Sequence, residues 1–193
     1  MTMSSMKKLQ LAFCGMLALI LSGCMLFQET GPVVEPFEFT NQHGEAFGSS
    51  QLAGQVWIAD FIFTNCETVC PPMTSVMAEL QKELEAQGLE AELVSFSVDP
   101  AADSPDVLKS YIGKFTPDQS NWNLLTGYSQ QEIEEFALEE FQTLVHKPSE
   151  TDQVLHGINF YVIDPEGMLI DEFSFTDPDL IPRIIEHVER YQP

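Results

Sequence analysis

Basic side chains are scarce in this chain: eight Lys and Arg stand against thirty Asp and Glu, for a formal charge of −22. Two of the eight, Lys7 and Lys8, precede every acidic residue. A folded surface so short of cations cannot neutralise phosphates, which excludes nucleic acid and anionic headgroups as its ligands. Cationic partners and metal ions are favoured instead, over a reach of about 10 Å at ordinary salt. The same acidity also serves an ordinary solvated face, so charge alone names no partner.

Cysteine is scarce as well. There are four, Cys14, Cys24, Cys66 and Cys70, too few for a disulfide scaffold in a chain of 193 residues. Long apolar runs are missing apart from residues 9–21, interrupted by Gln10 and Gly15. That run falls short of the roughly 20 apolar residues a spanning helix needs. Internal repeats and low-complexity segments are absent. With 44% hydrophobic residues and fourteen Phe, the chain can still bury one core of ordinary size.

The N-terminus carries a clear address. Lys7-Lys8, the apolar run and the ending Leu21-Ser22-Gly23-Cys24 form a secretory signal whose last four residues resemble a bacterial lipobox. The expectation is a lipoprotein signal peptide over 1–23, cleavage before Cys24, and lipid attachment to Cys24 as an anchor. Residues 24–36, with Gly31, Pro32 and Pro36, then read as a lipid-anchored tether, and 37–193 as the folded domain. The domain would sit on the outer face of the bacterial cytoplasmic membrane. The alternative, an uncleaved N-terminal membrane anchor, also places it outside the cytoplasm.

Along the domain, strand and helix patterns alternate. Residues 37–40 and the turn 41–45 suggest a β-hairpin. Residues 56–63 are nearly all apolar and β-prone, as in a central strand buried on both faces. A helix follows Cys70, with Pro71 and Pro72 in its first turn, Met73, Val76, Met77, Leu80 and Leu84 at helical spacing, and Gly88 closing it. Residues 93–98 give a second core strand, and Ser104-Pro105 opens a helix through about residue 114. Residues 122–125 are a short strand, and Ser129 with Glu132 forms a capping box whose helix presents Ile133, Phe136, Ala137 and Leu138. Residues 160–163 and 168–175 make a hairpin about the turn 164–167, and Asp177-Pro178 starts a last helix. The fold class is α/β: a central mixed sheet with flanking helices.

The chemistry gathers at Cys66 and Cys70. Cys66 ends a buried strand and Cys70 falls at the expected N-cap of the next helix, the strand edge where α/β sheets place their active groups. A disulfide across three intervening residues removes little chain entropy, so a stabilising role is poorly motivated. A helix N-terminus is expected to favour thiolate over thiol. Two such sulfurs converge on one ion or form a redox pair; as soft ligands they select Cu(I), and a nearby imidazole extends the site to Cu(II). Four histidines are available, His43, His146, His156 and His187. His156 lies just ahead of the strand at 160–163, where a neighbouring strand could bring it beside the thiols, and Gly157 permits a close backbone approach. Met73 and Met77 are explained by core packing.

Together, Thr64-x-Cys66-x-x-x-Cys70-Pro71, Ser97-Val98-Asp99-Pro100, Trp122-x-x-Leu125-Thr126-Gly127 and His156-Gly157 with Ile163-Asp164-Pro165-x-Gly167 resemble the Sco/SenC family over roughly residues 36–190. The resemblance implies a thioredoxin-like fold with an added β-hairpin. It implies copper, as Cu(I) or Cu(II), bound by Cys66, Cys70 and His156. It also implies a chaperone role in maturing the CuA centre on subunit II of cytochrome c oxidase, supplied by a copper donor or thiol reductant. The family's second attributed activity is a thiol–disulfide reductase, with Cys66 and Cys70 as the redox pair keeping the oxidase cysteines reduced. Asp99 reads equally as a helix cap or as a carboxylate near the site. Thioredoxins carry a cis-proline where this chain has Asn159, which disfavours a general oxidoreductase. A peroxidase reading lacks its proline and its threonine spacing, and a structural zinc site lacks a fourth ligand.

Overall fold

The structure, a computed structural model, describes residues 31–192. The expected signal peptide, Cys24 and the beginning of the expected tether lie outside the described residues. Among the described residues, fourteen elements follow one another: β1 (Glu38–Asn41), β2 (Ala46–Gly48), α1 (Ser49–Leu52), β3 (Trp57–Ile62), α2 (Cys70–Gln87), β4 (Glu92–Ser97), α3 (Pro105–Ile112), β5 (Trp122–Thr126), α4 (Gln130–Phe141), β6 (Val145–His146), β7 (Leu155–His156), β8 (Asn159–Ile163), β9 (Leu169–Ser174) and α5 (Leu180–Arg190).

Seven strands form one mixed sheet in the order β2-β1-β5-β4-β3-β8-β9. β3, β4 and β5 are parallel, and the outer pairs run antiparallel. Parallel strands need crossovers, supplied here by α2 and α3. Every residue of β3 is buried, as its continuous apolar run requires. The register sets Trp57, Ala59 and Phe61 on one face and Ile58, Asp60 and Ile62 on the other. On the first face Phe61 stacks on Phe96 at 5.4 Å and meets Phe141 edge-on at 5.3 Å, so α4 is packed through aromatic rings.

Helix ends follow their sequence signals. Pro71 and Pro72 occupy the first turn of α2, and Gly88 closes it at φ 67°, left-handed backbone that suits glycine. Ser129 Oγ accepts from Glu132 N–H while Glu132 Oε2 accepts from Ser129 N–H at 2.7 Å, completing the capping box of α4. Leu138, expected on the apolar face, is exposed. The buried stripe of α4 runs Ile133, Ala137, Phe141, and Leu138 lies one position around the helix from it. The last helix starts at Leu180, because Asp177 and Pro178 form the turn before it.

Two features escaped the periodic reading. β6 and β7 are two residues each and form a separate two-stranded sheet. The end of the expected tether is joined to the domain: Val34 N–H donates to Gly167 O, Leu169 N–H donates to Pro32 O, both at 2.9 Å, and Val33 bridges Met168.

Candidate functional site

Cys66 sits in the loop between β3 and α2, its N–H donating to Phe63 O at 3.3 Å. Cys70 is the first residue of α2, with Val69 as N-cap, one position further into the helix than expected. Both are free thiols, both are buried, and Cys70 N–H donates to Cys66 Sγ at 3.3 Å. The N-terminal turn of α2 therefore holds one sulfur with the backbone of the other.

The two sulfurs are electrostatically unequal. Burial raises the Cys66 thiol, but hydrogen bonds from Cys70 and Thr68 outweigh it and hold the group below its ordinary value. Cys70 goes the other way: burial, with the Cys66 sulfur beside it, pushes its thiol far above the ordinary range. The expectation that the helix terminus favours thiolate thus holds for Cys66 and fails for Cys70. A fully buried sulfur loses more from desolvation than the helix end returns.

His156 ends β7 and reaches the thiols, with Nε2 3.4 Å from Cys70 Sγ. Its Nδ1 lies 2.7 Å from Gly157 O. A carbonyl can only accept, so Nδ1 carries the proton and Nε2 turns its lone pair to the sulfur. Burial lowers the imidazole's pKa, against the pull of the Gly157 carbonyl, so the ring stays neutral at pH 7. Phe63 meets the ring edge-on at 5.7 Å. Gly157 is required for space: a Cβ there would lie 2.1 Å from Thr143 Oγ1. The other histidines are elsewhere: His43 is exposed, His146 lies 3.9 Å from Glu134, and His187 pairs with Asp171 at 2.9 Å. Met73 and Met77 are fully buried core residues.

Asp99 is buried, and its Oδ1 lies 2.7 Å from Lys147 Nζ. It is not the cap of α3, which is Ser104. Lys147 carries no signal in the sequence, because it sits in a stretch without periodicity. Asp103 carries none either; fully buried, it accepts from Thr64 N–H at 3.2 Å, Thr64 Oγ1 at 2.5 Å and Ser97 Oγ at 2.6 Å. Asp103 thereby pins the loop two residues before Cys66. Asp60, on β3, accepts from Ser95 Oγ at 2.5 Å, while its Oδ2 has no partner. Burial pushes its carboxyl up to about 7, against the Ser95 hydrogen bond, and its charge is felt by Cys70 and Tyr111.

Among the described residues, no three His, Cys, Asp or Glu side chains stand together so as to hold a metal ion as they are placed. Cys66, Cys70 and His156 nonetheless offer two thiols and one bare imidazole nitrogen, a donor set that fits a soft, thiophilic ion. Loading it requires both sulfurs to lose their protons, including the one between Cys70 and His156. Without a metal, the same pair can close to a disulfide, with Cys66 as the more readily ionised sulfur. Among the described residues no peptide bond is cis, and Asn159 pairs regularly with Ser174 in the β8–β9 hairpin.

Residues 27–192 match the protein-family model described as SCO1/SenC. The SCO1 protein homolog of Bacillus subtilis is 43% identical over 187 residues, which span 95% of this chain and 97% of that protein. A solved structure of BsSco, described as a member of the Sco family of cytochrome c oxidase assembly proteins with a disulfide switch, superposes at a TM-score of 0.77. It is 46% identical, with 83% of this chain and 94% of that one covered. Yeast Sco1 with copper bound superposes at a TM-score of 0.68 and 30% identity, covering 83% of this chain and 91% of that one. The fold is thioredoxin-like, with the β1–β2 hairpin added at one edge of the sheet.

Proposed function

The chain belongs to the SCO1/SenC family, and from that premise we propose that it binds copper through Cys66, Cys70 and His156 and delivers it to the CuA centre of cytochrome c oxidase. One observation carries the reading. His156 presents a deprotonated Nε2 3.4 Å from Cys70 Sγ, its tautomer fixed by Gly157 O, as a ligating imidazole is held in metal sites. The two sulfurs satisfy Cu(I), and the nitrogen extends the site to Cu(II). Copper bound to yeast Sco1 and the oxidase-assembly description of BsSco support the ion and the partner. Copper here is cargo, and its transfer needs no turnover chemistry. The lipobox at residues 21–24 supports a lipid anchor on Cys24, holding the domain at the outer face of the cytoplasmic membrane beside the oxidase subunit it serves.

The test is anaerobic titration of the reduced domain, followed by thiolate-to-Cu(II) charge-transfer absorption. One copper per chain is expected to bind, and His156→Ala is expected to weaken Cu(II) about 10–100-fold while largely sparing Cu(I). An unchanged band in the variant removes His156 from the site.

A second reading rests on the unequal sulfurs. A readily ionised Cys66 beside a protonated Cys70 is the arrangement a dithiol needs to attack a disulfide and then resolve it, as a reductase of the oxidase cysteines would. A strain carrying Cys66→Ser and Cys70→Ser separates the two. Full recovery of oxidase by excess copper supports delivery; no recovery, with oxidised oxidase cysteines, supports reduction.

A further inference from the structure

The two halves of the site meet across 86 residues of sequence, and they are held very differently. Cys66 lies in the loop that leaves β3 of the main sheet, and Cys70 opens α2. His156 belongs to β6–β7, a separate ribbon with two residue pairs, Val145 with His156 and His146 with Leu155. A two-stranded ribbon is at best marginally stable alone, so its position must be set by other ties.

Besides the direct contacts of the His156 ring with Cys70 and Phe63, Lys147, immediately after β6, supplies a charged tie from the ribbon to the thiol side. Its backbone N–H donates to Glu134 Oε1 on α4 at 2.9 Å, and its Nζ donates to Asp99 Oδ1 at 2.7 Å. From Asp99 the contacts continue without a break. Asp99 N–H donates to Ser97 Oγ at 3.2 Å, Ser97 Oγ donates to Asp103 Oδ2, and Asp103 holds Thr64 by backbone and hydroxyl, two residues before Cys66. The path runs from the histidine ribbon to the cysteine loop. Among the described residues, the other Lys or Arg ion pairs lie on more exposed partners: Arg183 on Asp177 and Arg190 on Glu186. Asp99 is 2% exposed and Lys147 24%, so this pair sits where an unpaired carboxylate would be unfavourable and its geometry is enforced.

We propose that the Lys147–Asp99 ion pair is a positioning clamp that sets His156 against the thiols, and so determines how tightly the site holds Cu(II) relative to Cu(I). The inference rests on the copper reading above. Cu(I) is satisfied by the two sulfurs, which stay in place when the ribbon loosens. Cu(II) requires the nitrogen, and the nitrogen moves with the ribbon. Lys147 touches no metal; it acts through His156.

The experiment compares wild type, Lys147→Met, Lys147→Arg and Asp99→Asn. Cu(I) affinity is read by anaerobic competition with a chromogenic chelator, and Cu(II) by charge-transfer absorption and nitrogen hyperfine splitting in electron paramagnetic resonance. Lys147→Met is expected to lower Cu(II) affinity about 10–100-fold with weakened nitrogen splitting, and to leave Cu(I) within about threefold. Lys147→Arg is expected to restore both, and Asp99→Asn to reproduce Lys147→Met, with no further loss in the double variant. Should Lys147→Met fail to fold, Asp99→Asn, which removes the charge of the pair while filling the same space, gives the same ratio. A wild-type Cu(II) signal in both charge-removing variants, or equal loss of both ions, overturns the clamp alone. Failure of the wild type to bind copper overturns the copper reading and the clamp together.

Discussion

The cysteine side and the histidine side of the site are built by opposite means. Cys70 opens α2, whose Met73, Met77, Leu80 and Leu84 are all buried, and Cys66 follows a strand buried along its whole length. His156 is carried by two residue pairs, a carbonyl contact, a glycine fitted against Thr143, one ion pair and a smaller apolar footing of Val145, Val154 and the Phe63 ring. Apolar burial is strong and non-directional; the polar ties are weaker individually but specify direction. The soft ligands are thus fixed chiefly by the core, whereas the nitrogen depends in larger part on directional polar contacts.

The largest effect should come from emptying the cysteine side. Met77→Ala is expected to cost about 2–5 kcal/mol in urea unfolding by leaving a cavity under α2. Its Cu(II)-to-Cu(I) preference should stay that of the wild type. A changed preference with little loss of stability would reverse the comparison.

Asp60→Asn tests a weakness within the same buried side. The Asp60 carboxyl titrates near 7 in the fold against 3.8 as the reference, so the folded state keeps a proton that the unfolded chain gives up. Stability is therefore lost as pH rises from about 4 to about 7, by at most about 4 kcal/mol, and no more is lost above that window. Asp60→Asn should remove this slope, being more stable than wild type at pH 8 and similar at pH 4. Urea midpoints across that range decide it, and parallel slopes in the two proteins would dismiss Asp60 as their source.

The smallest change in stability belongs to the histidine side. Gly157→Ala is expected to lower stability by about 1–3 kcal/mol through overpacking, and Cu(II) affinity by about tenfold through displacement of the ring. Adding Thr143→Ala should recover the affinity, because the atom that a Cβ would meet is then gone. If the double variant binds no better than the single, Thr143 is not what holds the ribbon in register.

What could be read in advance follows the same division. Continuous or periodic apolar runs disclosed β3 and α2, and local chemistry disclosed the capping box at Ser129 and Glu132, because each depends on neighbours in sequence. The two cysteines were visible as a pair, and His156 stood out through its place ahead of β8. β6 and β7 were not visible, since two-residue strands carry no period. Nor were Lys147 and Asp103, whose partners are far along the chain or hidden in a loop. Asp99 was read locally as a possible cap, yet its partner lies 48 residues away. The Cys70 thiol was misjudged because depth of burial is a property of the packed whole, which a helix-end rule cannot supply.

The joining of residues 32–34 to the β8–β9 turn also gives the molecule an up and a down. Trp57 pairs with Ile163, so that turn lies at the start of β3, whereas Cys66 follows its far end. Six strand residues at about 3.3 Å each separate the two levels by roughly 20 Å. With Cys24 lipidated as proposed, the tether would join the domain at the end of β3 opposite the thiols. Seven residues lie between Cys24 and Pro32, and the eight steps of chain span at most about 28 Å when extended. Copper would then change hands no farther from the lipid than the extended length of this segment plus the depth of the sheet, and shortening or lengthening it should change which recipients the site can meet.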